Sequence, residues 1–169
     1  MHKLSRLIGL SWWQWRVLAN TPWVLLRTWS SLRLRGYGKT LAALRPARPS
    51  ELSADQQLGL ARETAYAVAV AIKYGPWRPL CLLRSLVLGR FLGRKGIPFE
   101  VRIGVPGGKS VISANGNLDF TAHAWVEHAG VVLNDKQDIA NEFAPFDAEH
   151  LNNCRSELAR DGFVVFLGH

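Results

Sequence analysis

The stretch "CLLRSLVLGRFLGRKGIPFEVRIGV", residues 81 to 105, changes its hydrophobic period halfway along. From Cys81 to about Lys95 it reads as a helix, with Arg94 and Lys95 placed to complement the negative helix end and Gly96 just beyond it. After Gly96 the period is two: Phe99, Val101, Ile103 and Val105 alternate, a strand pattern. The stretch therefore joins a helical first half to a sheet-forming second half, and the rest of the chain follows suit.

On the N-terminal side, Ser53 with Gln56 three residues on forms a capping box. Leu58, Ala61, Ala65, Val68, Ala69 and Ile72 line one face of the helix it opens, and Gly75 ends it. "PWRP", residues 76–79, is a rigid turn that delivers the chain to Cys81. Earlier still, "LRPARPS", residues 44–50, punctuates. The segment before it reads as two helices, one over about residues 4–19, the other capped by Thr21, opened by Pro22 and stopped at Gly36. On the C-terminal side, "PGGKS" and "SANGNLD" are loops, and "FTAHAWVEHAGVVLND" is two strands over about 120–127 and 131–134. "FVVFLG", residues 163–168, reads as a late strand. Helices first and an antiparallel sheet after them imply an α+β fold, divided into a helical extension, 1–50, and a main domain, 51–169.

Composition supports that division. Residues 1–50 carry nine Lys or Arg, no acid and five of the seven tryptophans; the remaining 119 hold 12 basic and 13 acidic side chains, so the net charge of +8 belongs to the first segment. Arg16 and Arg27 break the apolar runs before they reach membrane-spanning length, and "LIGLSWWQW" lacks the features of a signal peptide. Two cysteines far apart, Cys81 and Cys154, make neither a disulfide scaffold nor a zinc motif, so a reducing, cytoplasmic setting is expected and no cofactor is implied.

Cys81 opens its helix, where unpaired N–H groups favour the negative charge of a thiolate and can also bind an oxyanion. It is equally a small apolar residue in an apolar run, and spacing alone leaves both readings open. A nucleophilic cysteine needs a base. His2 and His169 are terminal and His150 sits in a polar segment, whereas His123, flanked by Ala122 and Ala124, has room beside it. If His128-Ala129-Gly130 is a three-residue hairpin loop closed by a left-handed glycine, Glu127 faces Val131 and His123 faces Asp135 across the hairpin. Asp135 then orients the imidazole, completing a nucleophile–base–orienter set. With a two-residue loop, Asp135 falls on the other face, and Glu127 or Asp138 becomes the fallback. Trp125 and Glu127 share the His123 face, while Arg84 and Ser85, a turn after Cys81, orient the helix.

These residues resemble a known family. "CLLRSLVLGRFLGRKGIPFEVRIGV" followed by "AHAWVEHAGVVLND" is similar to the transglutaminase-like cysteine peptidase of lasso-peptide biosynthesis, the B protein, over about residues 60 to 138. The resemblance implies a transglutaminase- or papain-like core with a Cys81–His123–Asp135 triad. It also implies cleavage of a leader from a ribosomal precursor peptide, followed by macrolactam closure by a separate ATP-dependent cyclase. In that family a small winged-helix-like module holds the leader, fused or encoded separately. The helical period of residues 1–50 points to the standalone form, with a separate leader-binding partner.

Two rival functions stand beside this one. The same thioester can be resolved by an amine, as in transglutaminases. Alternatively, the basic, Trp-rich segment is itself the point, a docking face for a partner protein or a membrane surface rather than for nucleic acid, since it carries no nucleic-acid motif.

Overall fold

The computed structural model describes residues 11–46, 48–106 and 122–145. Helices α1 (Trp12–Ala42), α2 (Ala54–Tyr74) and α3 (Cys81–Arg94) precede strands β1 (Glu100–Pro106), β2 (His123–His128) and β3 (Val131–Val132). A single-turn α4 (Ile139–Glu142) leads into β4 (Phe143–Pro145). The strands form one antiparallel sheet in the order β3-β2-β1-β4. The fold is α+β, as the period change at Gly96 implies.

Capping fixes the helix starts. Ser53 accepts from the Gln56 amide while the Gln56 side chain accepts from the Ser53 amide, and Ser11 and Gln14 repeat the arrangement at α1. Here the expected pair of N-terminal helices needs correction. The chain does not break at Thr21-Pro22. Thr21 is buried and its hydroxyl donates to the Val17 carbonyl one turn back, 2.7 Å away, instead of capping a new helix. Pro22 lies inside α1, and the break comes at Gly36, whose positive φ of 76° interrupts the helix before Tyr37–Ala42 completes it. Residues 4–10 of the first expected helix lie outside the described residues, as do the loops over 107–119 and the late strand over 163–168.

One core unites the helices with the sheet. Val17, Val24 and Leu25 of α1, Ala61, Ala65, Val68 and Ile72 of α2, and Val87, Leu88, Phe91 and Leu92 of α3 pack together with Val126 of β2. Ala69, expected on the same face, is exposed. Fully burying each larger aliphatic side chain is worth roughly 1.5–3 kcal/mol before ordering costs. The segment before residue 50 thus supplies walls of the same core as the segment after it. Gly93 keeps the packing close, because a Cβ there would run into the Leu44 carbonyl oxygen. On the other face of the sheet, Trp125, Val132, Ile139 and Phe143 make a second, smaller cluster.

The hairpin between β2 and β3 is tighter than the glycine at its end suggests. Glu127 pairs with Val132 and His128 with Val131, so the loop is the two residues Ala129-Gly130. Both have positive φ, 49° and 76°, the signature of a type I′ turn, which matches the right-handed twist of its strands. The three-residue reading, with Glu127 opposite Val131, is therefore wrong by one residue. β4 was not anticipated: "FAP" is too short to carry a period, and it becomes a strand only because β1 offers it an edge.

Candidate active site

Cys81 is the first residue of α3 and partly exposed. Its N-cap is Leu80, which offers no side-chain acceptor, so no cap claims the amides of the first turn. From there α3 runs beside the edge of β2 that β3 leaves uncovered. The outward carbonyls of β2 and of the residue before it are taken in sequence: Val126 by the Leu133 amide at 2.9 Å, Ala124 by the Ser85 hydroxyl at 3.0 Å, and Ala122 by the Cys81 thiol at 3.9 Å. The match is geometric. Four helical residues rise about 6 Å, and two strand residues advance about 6.6 Å. A hydroxyl at Ser85 and a thiol at Cys81 therefore meet alternate carbonyls of the strand. The result places the Cys81 sulfur against the residue that precedes His123.

His123 and Asp135 come together, though not by the expected register. With a two-residue loop, a continued β3 would carry Asp135 to the wrong face. Instead β3 ends at Val132, and the chain bends through Leu133–Asp135. Asn134 causes the bend. Its Oδ1 accepts the Val126 amide at 2.8 Å, standing in for a backbone carbonyl, and its Nδ2 donates to Ser85 Oγ at 3.1 Å. Freed from the ladder, Asp135 places Oδ2 2.6 Å from His123 Nε2. Its other oxygen accepts the Lys136 amide at 2.9 Å. The His123 and Asp135 side chains are 27% and 24% exposed, reachable yet partly shielded.

Aromatic rings fix the imidazole plane. Phe143 lies with its centroid 5.1 Å from that of His123 at a 37° tilt, and Trp125 stacks at 6.3 Å and 20°. Trp125 is fully buried, and its indole N–H donates to Glu127 Oε1 at 2.7 Å. Glu127 also faces Arg102 at 3.5 Å, so it is committed elsewhere and does not orient His123. His128 is buried, its Nδ1 2.7 Å from the Pro98 carbonyl, which is a structural role. Cys154, His2, His150 and His169 lie outside the described residues.

Sequence reasoning missed Asn134 and Phe143. A polar residue closing the apolar run "VVLN" was the available signal for the first; nothing local marked the second. Among the described residues no group of three or more His, Cys, Asp and Glu is arranged to hold a metal ion. Chemically, the arrangement sets a thiol at an uncapped helix start, 3.9 Å from the carbonyl of Ala122, and next in sequence to Ala122 is an imidazole whose Nε2 faces a carboxylate.

Among curated proteins and among solved structures, nothing matches the chain. One family model does, that of the transglutaminase-like superfamily, over residues 24–147. The match begins within α1, spans all of α2 and α3, and closes two residues after β4. Covering most of the chain, it places this protein in the transglutaminase-like superfamily.

Proposed function

We propose that the chain is a cysteine peptidase that removes the leader from a ribosomally made lasso-peptide precursor, with Cys81 as nucleophile, His123 as base and Asp135 as orienter. The single observation that carries the reading is the 2.6 Å His123–Asp135 pair at the strand end beside which α3 sets Cys81. Membership of the transglutaminase-like superfamily supports the same chemistry. His123 takes the Cys81 proton through Nδ1, and Sγ attacks the scissile carbonyl carbon. The oxyanion is met by amides at the helix start, which Leu80 leaves uncapped. The imidazolium then gives its proton to the leaving amine as the C–N bond breaks, leaving a thioester. Water, deprotonated by the same imidazole, attacks the thioester; the acid leaves and the thiol is restored. Asp135 remains ionised throughout and holds the ring.

The lasso assignment follows the resemblance of residues 60–138 and brings its partners with it: the precursor peptide, a separate winged-helix-like leader-binding protein and the macrolactam cyclase. The test is incubation with a precursor and its recognition protein, read by mass spectrometry. Hydrolysis gives two fragments that sum to the precursor plus one water, and Cys81→Ala gives none. A mass-shifted adduct with an added amine would move the assignment to acyl transfer. Full cleavage by Cys81→Ala would end the peptidase reading.

A further inference from the structure

Helix α1 has two faces, and only one is used by the core. Val17, Thr21, Val24, Leu25 and Thr28 are buried. Trp12, Trp15, Trp23, Leu26, Trp29 and Leu34 point outward, each between 47% (Trp15) and 84% (Leu34) exposed. At about 100° per residue these six fall within an arc of about 140°, opposite the buried arc. Along the helix they extend roughly 33 Å, at about 1.5 Å per residue. Isolated exposed leucines need no explanation, whereas a continuous stripe of four tryptophans and two leucines does.

The charges carried by α1 itself have one sign, and the acid beside the start of the helix is Glu63 of α2, which accepts from the Ser11 hydroxyl at 3.4 Å. Arg16 and Arg27 run along one margin, and Arg33 lies within it with its guanidinium 5.6 Å over the Trp29 ring. No acid occurs in residues 1–50. Arg27 also belongs to a group with Arg35, Arg90 and Arg94. Burial, together with Arg27, Arg94 and Arg35, lowers the Arg90 pKa. Among the described residues none of these four arginines is ion-paired to a carboxylate. No described helix is long and apolar enough to cross a membrane.

We propose that the outward face of α1 is a docking surface for an anionic phospholipid membrane, on which the helix lies in the plane of the interface. The residues are those that settle there: tryptophan at headgroup depth, leucine below it, and arginines whose stems lie along the apolar layer while their heads reach phosphate. Charge complementarity selects this occupant over a protein partner. A helix whose own charges are all cations, Arg16 and Arg27 on one margin and Arg33 within the stripe, matches a uniformly anionic surface, whereas protein interfaces commonly set both signs in register.

The experiment is co-sedimentation of the full chain with vesicles of phosphatidylcholine, with and without phosphatidylglycerol, paired with quenching of tryptophan emission by brominated lipid. We expect binding to anionic vesicles that exceeds binding to neutral ones by about tenfold or more and weakens as salt is raised. The double variant Trp12→Ser/Trp23→Ser should bind at least about tenfold more weakly at an unchanged melting temperature, since both side chains are exposed. Arg16→Gln/Arg27→Gln should lose about tenfold or more and flatten the salt dependence. The arginine pair keeps the test decisive should the tryptophan variant fold poorly. Equal binding to neutral and anionic vesicles, or no vesicle binding at all, would overturn the proposal. So would a loss of precursor-complex formation by these variants with lipid binding intact, which would make the stripe a protein-docking face.

Discussion

Asp135 divides its carboxylate between two partners, Oδ2 to His123 and Oδ1 to the Lys136 amide. Asp135→Asn preserves the size and one acceptor but removes the charge, and its amide can present a donor to Nε2, favouring the wrong tautomer. Single-turnover cleavage should slow by about 10²–10⁴-fold, with an unchanged circular dichroism spectrum. A rate within a few fold of the parent would remove Asp135 from the mechanism. Asn134 acts one step away. Asn134→Ala strands the Val126 amide in the core and removes the donor to Ser85 Oγ, which keeps its bond to the Ala124 carbonyl, and should cost about 1–3 kcal/mol in urea denaturation. Because Ser85 shares that network, the Ser85→Ala and Asn134→Ala costs should not add. Cys81 and His123 of the proposed triad stand out in sequence because each carries a reactive group at a position with a reason, a helix start and a gap between alanines, whereas the pairing that points to Asp135 rests on a three-residue loop that the hairpin does not have. Asn134 does not stand out, because its work is to imitate backbone, and a residue that imitates backbone has no period of its own.

The element that misled was the shortest one. A glycine third in His128-Ala129-Gly130 fits a three-residue loop, but Ala129 accepts a left-handed conformation that alanine adopts only at a cost. That cost is outweighed by the pairing of β2 and β3, which no local rule can weigh. Ala129→Asn should relieve it, since asparagine tolerates the left-handed region and Asn-Gly is the favoured type I′ pair. A gain of about 0.5–1 kcal/mol, or about 1–4 °C in melting temperature, is expected by calorimetry. A lowered melting temperature would mean that the turn carries no strain at Ala129. Long elements were legible for the opposite reason. The capping box of α2 and the period change after α3 are local signals that tertiary packing reinforces. Pro22 shows the limit: its preference for a first helical turn lost to a buried face, Val17 to Thr28, that runs through it unbroken.

At the scale of the whole molecule, composition and packing divide the chain in different places. Charge and tryptophan content change at about residue 50, yet the core does not, because α1 contributes Val17, Val24 and Leu25 to the cluster shared with α2 and α3. Deleting residues 1–50 should therefore expose the faces of α2 and α3 and abolish cooperative thermal unfolding, not merely remove a tail. A truncated chain with a sharp calorimetric transition would show that residues 51–169 hold a core of their own. Composition was a guide to what the surface of α1 meets, not to where the structure can be cut. Its buried half is too small, and too rich in threonine, to announce itself in a count.

The ladder of carbonyls on β2 also has a consequence in time. Ser85 and Cys81 find their acceptors 39 and 41 residues further along the chain. During synthesis the helix is complete long before the strand that locates it, and the histidine and aspartate emerge later still. On the proposed assignment, a nascent chain halted anywhere short of Asp135 carries an ordinary thiol and no complete means of cutting peptides. Proteolytic competence then waits for Asp135, and a copy whose chain has not yet reached that residue lacks a complete site.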